Sequence, residues 1–332
     1  MLGYASSVAV LENPQLKRVT VQAGEVAINE AQSARRSHYA DFYSPSVPTT
    51  GFGLIVGNCQ AESLRIVLDS EELPLLRIPP VHELDAADVE RLHVLISHAD
   101  ALVSQPIRND YHGLRLGTSQ LNASLPRGSR SATIPVVRYT GLHPFQLAMH
   151  VEGVDESPPM VAYHDVRVLA AAAGISLAGA LRPRSVRAVA ADSLAELRRR
   201  EAELDVTISD LFDQPDFAEM RTVNHPGNRI LMTLGDRVLT ALGPPATATD
   251  PGRPLLNAVH APREEWVIDA WGAREEPRRD WIVDGAIVDR EEVAEAHRGW
   301  YARHPAFVHA ALDRIGPLLR RWPRRPGAPL SL

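Results

Sequence analysis

GFGLIVGNCQAESLRIVL, residues Gly51 to Leu68, is the stretch from which the fold is read. Leu54, Ile55 and Val56 form a short apolar run, the pattern of a buried strand. Gly57 and Asn58 are turn formers and place a break directly after it. From Ala61 to Leu68 the period changes. Leu64, Val67 and Leu68 share one helical face, with Glu62, Arg65 and Asp69 on the other, so an amphipathic helix of about two turns is predicted. Cys59 stands at the tip of the turn. A thiol at a helix N-terminus meets outward-pointing N–H groups and the positive end of the helix dipole, which favour a thiolate and a developing oxyanion. The same position also suits a cysteine that is only a small buried hydrophobe.

Outward from this stretch the alternation continues. Leu75 to Val81 predicts a second short strand ending at prolines. Ala87 to Ser97 predicts a helix with Val89, Leu92, Leu95 and Ile96 on one side. Ala101 to Val103 predicts a buried strand that presents Ser104, Gln105 and Pro106 at its C-terminal end, and Ala132 to Val137 a further strand leading into RYTGLHPF. Strands separated by helices imply right-handed crossovers. The expected fold class is therefore α/β, a mainly parallel sheet flanked by helices, with sites collecting at the strand C-terminal ends.

Residues 1–50 are polar, weakly patterned and end in SPSVPTT, which predicts an N-terminal extension with one strand over Lys17 to Gln22 and a linker. Residues 51–245 form the expected catalytic domain. Within it, His164 to Ala180 and Ala188 to Leu211 are predicted as helices, the second long and solvent-facing, and Asn228 is expected to cap a helix running to about Leu242. Gly, Pro and Thr accumulate from Gly243 to Pro254. Beyond them, residues 246–332 are expected to be an extension with a hairpin over Trp281 to Val288 and a helix from Arg290 to His304 and beyond.

The chain has 332 residues, 45% hydrophobic and 23% charged, with a formal net charge of −6. That balance disfavours nucleic acid or an anionic membrane surface as the main partner. One cysteine excludes an internal disulfide. The N-terminus lacks the basic and apolar regions of a signal peptide, and no apolar run reaches the roughly 18 residues of a membrane span, so a cytoplasmic location without integral membrane contact is expected. No P-loop, dinucleotide fingerprint or zinc spacing is present, and no metal is expected.

Nucleophilic catalysis needs a nucleophile, a base in reach and donors for the oxyanion. Cys59, Gln105 and His225 supply those residue types from three loops that a parallel sheet can gather on one edge. The order resembles the SGNH/GDSL hydrolases, which place a nucleophilic serine after the first strand, an oxyanion-hole asparagine after a later one and a base in D-x-x-H before the last helix. Here Cys59 replaces the serine, and Thr222 stands where the acid of D-x-x-H belongs. An SGNH-like three-layer arrangement follows.

A closer resemblance is to the WcbI-type capsular polysaccharide biosynthesis acetyltransferases. GNCQAESLR at Gly57 to Arg65 and ADALVSQPIRNDYHGLRLGT at Ala99 to Thr118 carry it, with GLHPF at Gly141 to Phe145, YHD at Tyr163 to Asp165 and NHPGNR at Asn224 to Arg229. What it implies is an acyltransferase that moves an acetyl or other short acyl group from acyl-CoA, through acyl-Cys59, to a hydroxyl of a sugar or glycan precursor. His225 would be the base, and the Cys59 and Gln60 N–H groups with the Gln105 amide would hold the oxyanion. Gly57, Asn58, Gln60, Arg65, Arg108, His143, His164, Asn224 and Arg229 would line the coenzyme site, the arginines, Arg115 among them, suiting its phosphates. His164 beside Asp165 is a competing base, and Asn224, Glu219 and Asp165 are candidates to orient His225. A cysteine esterase or thioesterase, and a non-catalytic carbohydrate- or CoA-binding protein, remain as alternatives.

Overall fold

The computed structural model describes residues 18–20, 30–154 and 156–323. The chain divides into two compact units, residues 1–132 with 242–246, and residues 133–241 with 247–332.

In the first unit, β1 (Arg18–Thr20) pairs antiparallel with β2 (Ser46–Pro48), and α1 (Glu30–His38) and α2 (Ala40–Tyr43) lie between them in sequence. β1 falls inside the strand expected at Lys17 to Gln22, of which Lys17, Val21 and Gln22 lie outside the described residues. Phe42 and Val47, in the stretch read as an extension, are fully buried in the core of this unit. The main sheet follows. β3 (Gly53–Val56) is flanked in parallel by β4 (Leu75–Leu76) and β5 (Ala101–Ser104), and β6 (Arg130–Thr133) completes the order β4-β3-β5-β6. All four β3 residues are buried, as a central parallel strand requires.

α3 (Cys59–Leu68) begins two residues earlier than its apolar period suggested, because the Asn58 side chain accepts the Gln60 N–H and starts the helix at the cysteine itself. α4 (Ala86–Ile96) buries Val89, Leu92, Leu95 and Ile96, the face expected of it, behind a capping box formed by Asp85 and Asp88. Each such aliphatic side chain withdrawn from water contributes about 1.5–3 kcal/mol. A short helix, α5 (Thr118–Asn122), precedes β6, which ends at Thr133 and not at Val137.

The second unit opens with β7 (Gln146–Leu147) paired antiparallel with β8 (His164–Asp165), followed by α6 (Val166–Ala172). His164 thus lies in a strand, with Asp165 capping α6, where a helix from His164 to Ala180 was expected. α7 (Pro183–Glu201) ends ten residues before the predicted Leu211. The buried Glu201 carboxylate accepts the N–H groups of Ile208 and Ser209 and turns the chain there, while Val186 and Leu197 pack inward. β9 (Met220–Thr222) and β10 (His225–Pro226) form a small hairpin before α8 (Asn228–Leu242). Asn228 is the first helical residue, and its side chain binds the Arg253 carbonyl and the Leu255 N–H.

β11 (Val259–His260) and α9 (Glu265–Trp271) lead to a hairpin of β12 (Trp281–Val283) and β13 (Ala286–Val288). Asp284 and Gly285 turn it with positive φ of 49° and 81°. α10 (Arg290–Arg303) and α11 (Pro305–Arg321) close the chain, broken at His304. No helix among the described residues is long and apolar enough to cross a membrane.

Candidate functional site

In the first unit the chemistry gathers at the C-terminal end of the parallel strands. β3 delivers Gly57 and Asn58, and Cys59 follows as the first residue of α3. Gln105, next after β5 and buried, lies across this turn. Its Oε1 accepts the Asn58 N–H at 2.9 Å and its Nε2 donates to Gln60 Oε1 at 3.2 Å. A Cβ at position 57 would come within 2.5 Å of Gln105 Oε1, so the glycine is required by this side chain. The loop behind Gln105 is itself tied down, because the Thr118 hydroxyl donates to the Gln105 carbonyl and accepts the Ile107 N–H. GNCQ and SQPI are thus two halves of one hydrogen-bonded object.

The Cys59 thiol is partly buried. Burial pushes it above its ordinary value, and the N–H groups of Cys59 and Gln60 pull the other way without prevailing. The resting group is a thiol, contrary to the thiolate that the helix terminus alone would favour. Gln105, expected as an oxyanion donor, directs its amide to Gln60. Of the arginines, Arg65 is held by Glu62 at 2.8 and 3.1 Å and by Asp69 at 3.3 Å, and Arg77 shares Glu62. Arg108 is exposed, its guanidinium 5.9 Å from the Tyr111 ring centroid, and Arg115 is exposed as well.

In the second unit the histidines separate by environment. His225 Nε2 lies 3.1 Å from the Tyr163 hydroxyl, which donates to Asn224 Oδ1 at 2.8 Å. Thr222, standing where the acid was missed, sends its hydroxyl toward the same phenol at 3.0 Å. The partner of His225 is therefore Tyr163, with Asn224 and Thr222 behind it. Nδ1 of His225 is buried beside the Val259 backbone without a well-formed hydrogen bond. Burial, only partly opposed by that backbone, brings the imidazole down to about 4, so it is neutral at pH 7. Tyr163 is held in turn by stacking on Trp281, with centroids 6.1 Å apart.

His164 has no such setting. It is fully buried among His297, Trp300, Tyr301 and Phe307, with Nδ1 2.8 Å from the Tyr301 hydroxyl, and burial with the neighbouring His297 lowers it to about 3. That is a packed aromatic core. Asp165 turns away to Arg167 and Arg290, which outweigh its burial and hold its carboxyl below the usual range. His143 is buried against Phe145 and Phe217 with Nε2 on the Met220 carbonyl, and burial lowers it to about 4. Arg229, largely exposed, pairs with the buried Glu219. Tyr163 is the residue that sequence reasoning missed. It stands in the YHD block, but a phenol orienting an imidazole 62 positions away carries no local signal.

Among the described residues no group of three His, Cys, Asp or Glu side chains is placed to hold a metal.

A family model described as "Polysaccharide biosynthesis enzyme WcbI" matches residues 52–247. No curated protein matches the chain significantly. A solved structure of WcbI, described as a novel polysaccharide biosynthesis enzyme and as the native protein without a disulfide bond between CoA and one of its cysteines, superimposes with a TM-score of 0.69. It is 19% identical and the match covers 82% of this chain and 96% of that one, a likeness of fold.

Proposed function

The chain belongs to the WcbI family of polysaccharide biosynthesis enzymes, and from that premise we propose that it transfers an acetyl or other short acyl group from acyl-CoA to a hydroxyl of a sugar or glycan precursor through an acyl-Cys59 intermediate. The observation that carries the reading is the chain's one thiol on the first residue of α3, with N–H groups of its own turn around the sulfur.

Sγ of Cys59 attacks the thioester carbonyl, the S–C bond to coenzyme A breaks, and the proton lost by Cys59 leaves on the coenzyme thiol. One thioester replaces another, so the step is near thermoneutral and the acyl-enzyme stays reactive. The acceptor oxygen then attacks the acyl carbon, its proton passes to the base, and Cys59 is released and reprotonated. The base is assigned to His225, whose imidazole is neutral at working pH and steadied by Tyr163. Because burial raises the thiol and lowers the imidazole, a standing thiolate–imidazolium pair is disfavoured, and the proton leaves Sγ as the carbonyl is attacked. The N–H groups of Cys59 and Gln60 are the proposed oxyanion donors, and loss of one such donor costs on the order of a hundred- to a thousandfold in rate. Gln105 serves them by fixing the turn.

Brief incubation with acetyl-CoA followed by intact-mass spectrometry tests the proposal. An acetyl adduct that is absent in Cys59→Ala and is discharged faster by an added sugar than by water is expected. A well-folded Cys59→Ala protein with undiminished transfer would remove the thiol mechanism, and discharge to water alone would make the enzyme a thioesterase.

A further inference from the structure

The second unit holds a cavity of about 640 Å³ that the steps above do not use. Its wall brings together Arg138 from the segment after β6, Arg200 from the end of α7, Arg314 from α11 and Gln146 from β7. The carboxylates on the same wall are already committed. Asp192 pairs with Arg321, and Glu196 binds Arg199 at 2.7 and 2.8 Å while reaching Arg200 only at 3.6 Å. Arg314 also acts on Glu196, whereas among the described residues Arg138 makes no ion pair with a carboxylate. Arg138 is partly buried and feels the charges of Arg200 and Arg314, while the one Glu196 carboxylate is shared among Arg199, Arg200 and Arg314, so positive charge on this wall is in excess and a bound anion would offset it.

Gln146 is an independent sign. It is only 5% exposed, and both its Oε1 and its Nε2 are buried with no hydrogen-bond partner. A buried amide left so costs free energy that a ligand with donors and acceptors would recover. The volume lies in the usual range of small-molecule sites, about 300–1,000 Å³.

We propose that this cavity binds an organic phosphate, its phosphate group on Arg138, Arg200 and Arg314 and a hydroxyl- or amide-bearing body against Gln146. The inference rests on the acyl-transfer reading for its probes, since coenzyme A carries phosphate groups and a sugar acceptor can be a sugar phosphate.

The test is calorimetric titration of the full chain with CoA, 3′-dephospho-CoA and glucose 1-phosphate, in the wild type and in Arg138→Gln and Arg314→Gln, with thermal melts as the control for folding. At least one phosphate is expected to bind and to lose about tenfold or more in affinity in the variants. Weakening of CoA without weakening of dephospho-CoA places the coenzyme's 3′-phosphate in the cavity, and equal weakening of both places its pyrophosphate there. Weakening of glucose 1-phosphate alone assigns the cavity to the acceptor. Arg314 is exposed, so its variant reads the site even if Arg138→Gln does not fold. Unchanged affinities in the folded variants, or no binding of any probe to the wild type, overturn the proposal. An acetyl-Cys59 adduct formed alongside unchanged affinities would sink the cavity assignment and leave acyl transfer standing, whereas weakened affinities without an adduct would do the reverse.

Discussion

At Cys59 burial and backbone act in opposite directions, and the outcome is a thiol whose ordinary value of 9.0 is raised. A raised value means less thiolate at neutral pH than in a free cysteine. Alkylation of Cys59 by iodoacetamide in the free enzyme is therefore expected to be slow at pH 7 and to be still rising with pH at pH 9, with no plateau before it. A plateau reached below pH 8 would show a standing thiolate and remove the coupled proton transfer. At His225 the question is orientation. Tyr163→Phe deletes the hydroxyl at Nε2 and leaves the stacked ring in place, so the fold is expected to persist at a cost of about 1–3 kcal/mol for the buried Thr222 and half-buried Asn224 groups that lose this partner. Its kcat is expected to fall about tenfold, a part of the hundred- to ten-thousandfold that a general base supplies, with KM for acyl-CoA unchanged. The acid limb of its pH–rate profile should shift as well, because the imidazole has lost a neighbour. A profile identical to wild type would make Tyr163 a packing residue only.

At the scale of elements, the strand-to-helix turn and the β5 loop behave as one piece. Gly57 has no side chain because Gln105 lies where a Cβ would go, and Gln105 lies there because it accepts the Asn58 N–H. Gly57→Ala is expected to push the amide off the turn, lowering acyl-enzyme formation by about tenfold or more while costing only about 1–2 kcal/mol of stability, as for other local overpacking. The double variant Gly57→Ala/Gln105→Ala should be no slower than Gln105→Ala alone, since the clash and the contact it breaks vanish together. Additive losses in that cycle would mean that the two positions act separately. GNCQ and SQPI were each legible as motifs. Their mutual hydrogen bonds were not, because the two segments stand 45 to 47 positions apart.

Across the whole molecule the buried histidines set the response to acid. His143 and His164 are neutral in the fold, lowered by burial to about 4 and about 3, against an ordinary value of 6.5. Between those values the unfolded chain binds more protons than the folded one. Stability is therefore fully present above about pH 6.5 and lost as pH falls toward 4, at up to about 1.4 kcal/mol per pH unit for each histidine. All five tryptophans, from Trp266 to Trp322, belong to the second unit with these histidines, so their fluorescence reports it. The urea midpoint by that signal is expected to drop from pH 7.5 to pH 5, and a flat midpoint would contradict the burial of both imidazoles. By itself the sequence determined the parallel strand–helix alternation of the first unit, the face of α4, the hairpin at Trp281 to Val288 and the place of Cys59, because period and turn chemistry act over a few residues. Tertiary structure alone decided that α7 stops where Glu201 is buried, that Phe42 and Val47 are core, and which histidine lies beside which hydroxyl. Those outcomes depend on burial and on partners tens of positions away, and burial is what turns three similar histidines into a steadied imidazole at position 225 and two packed rings at 143 and 164.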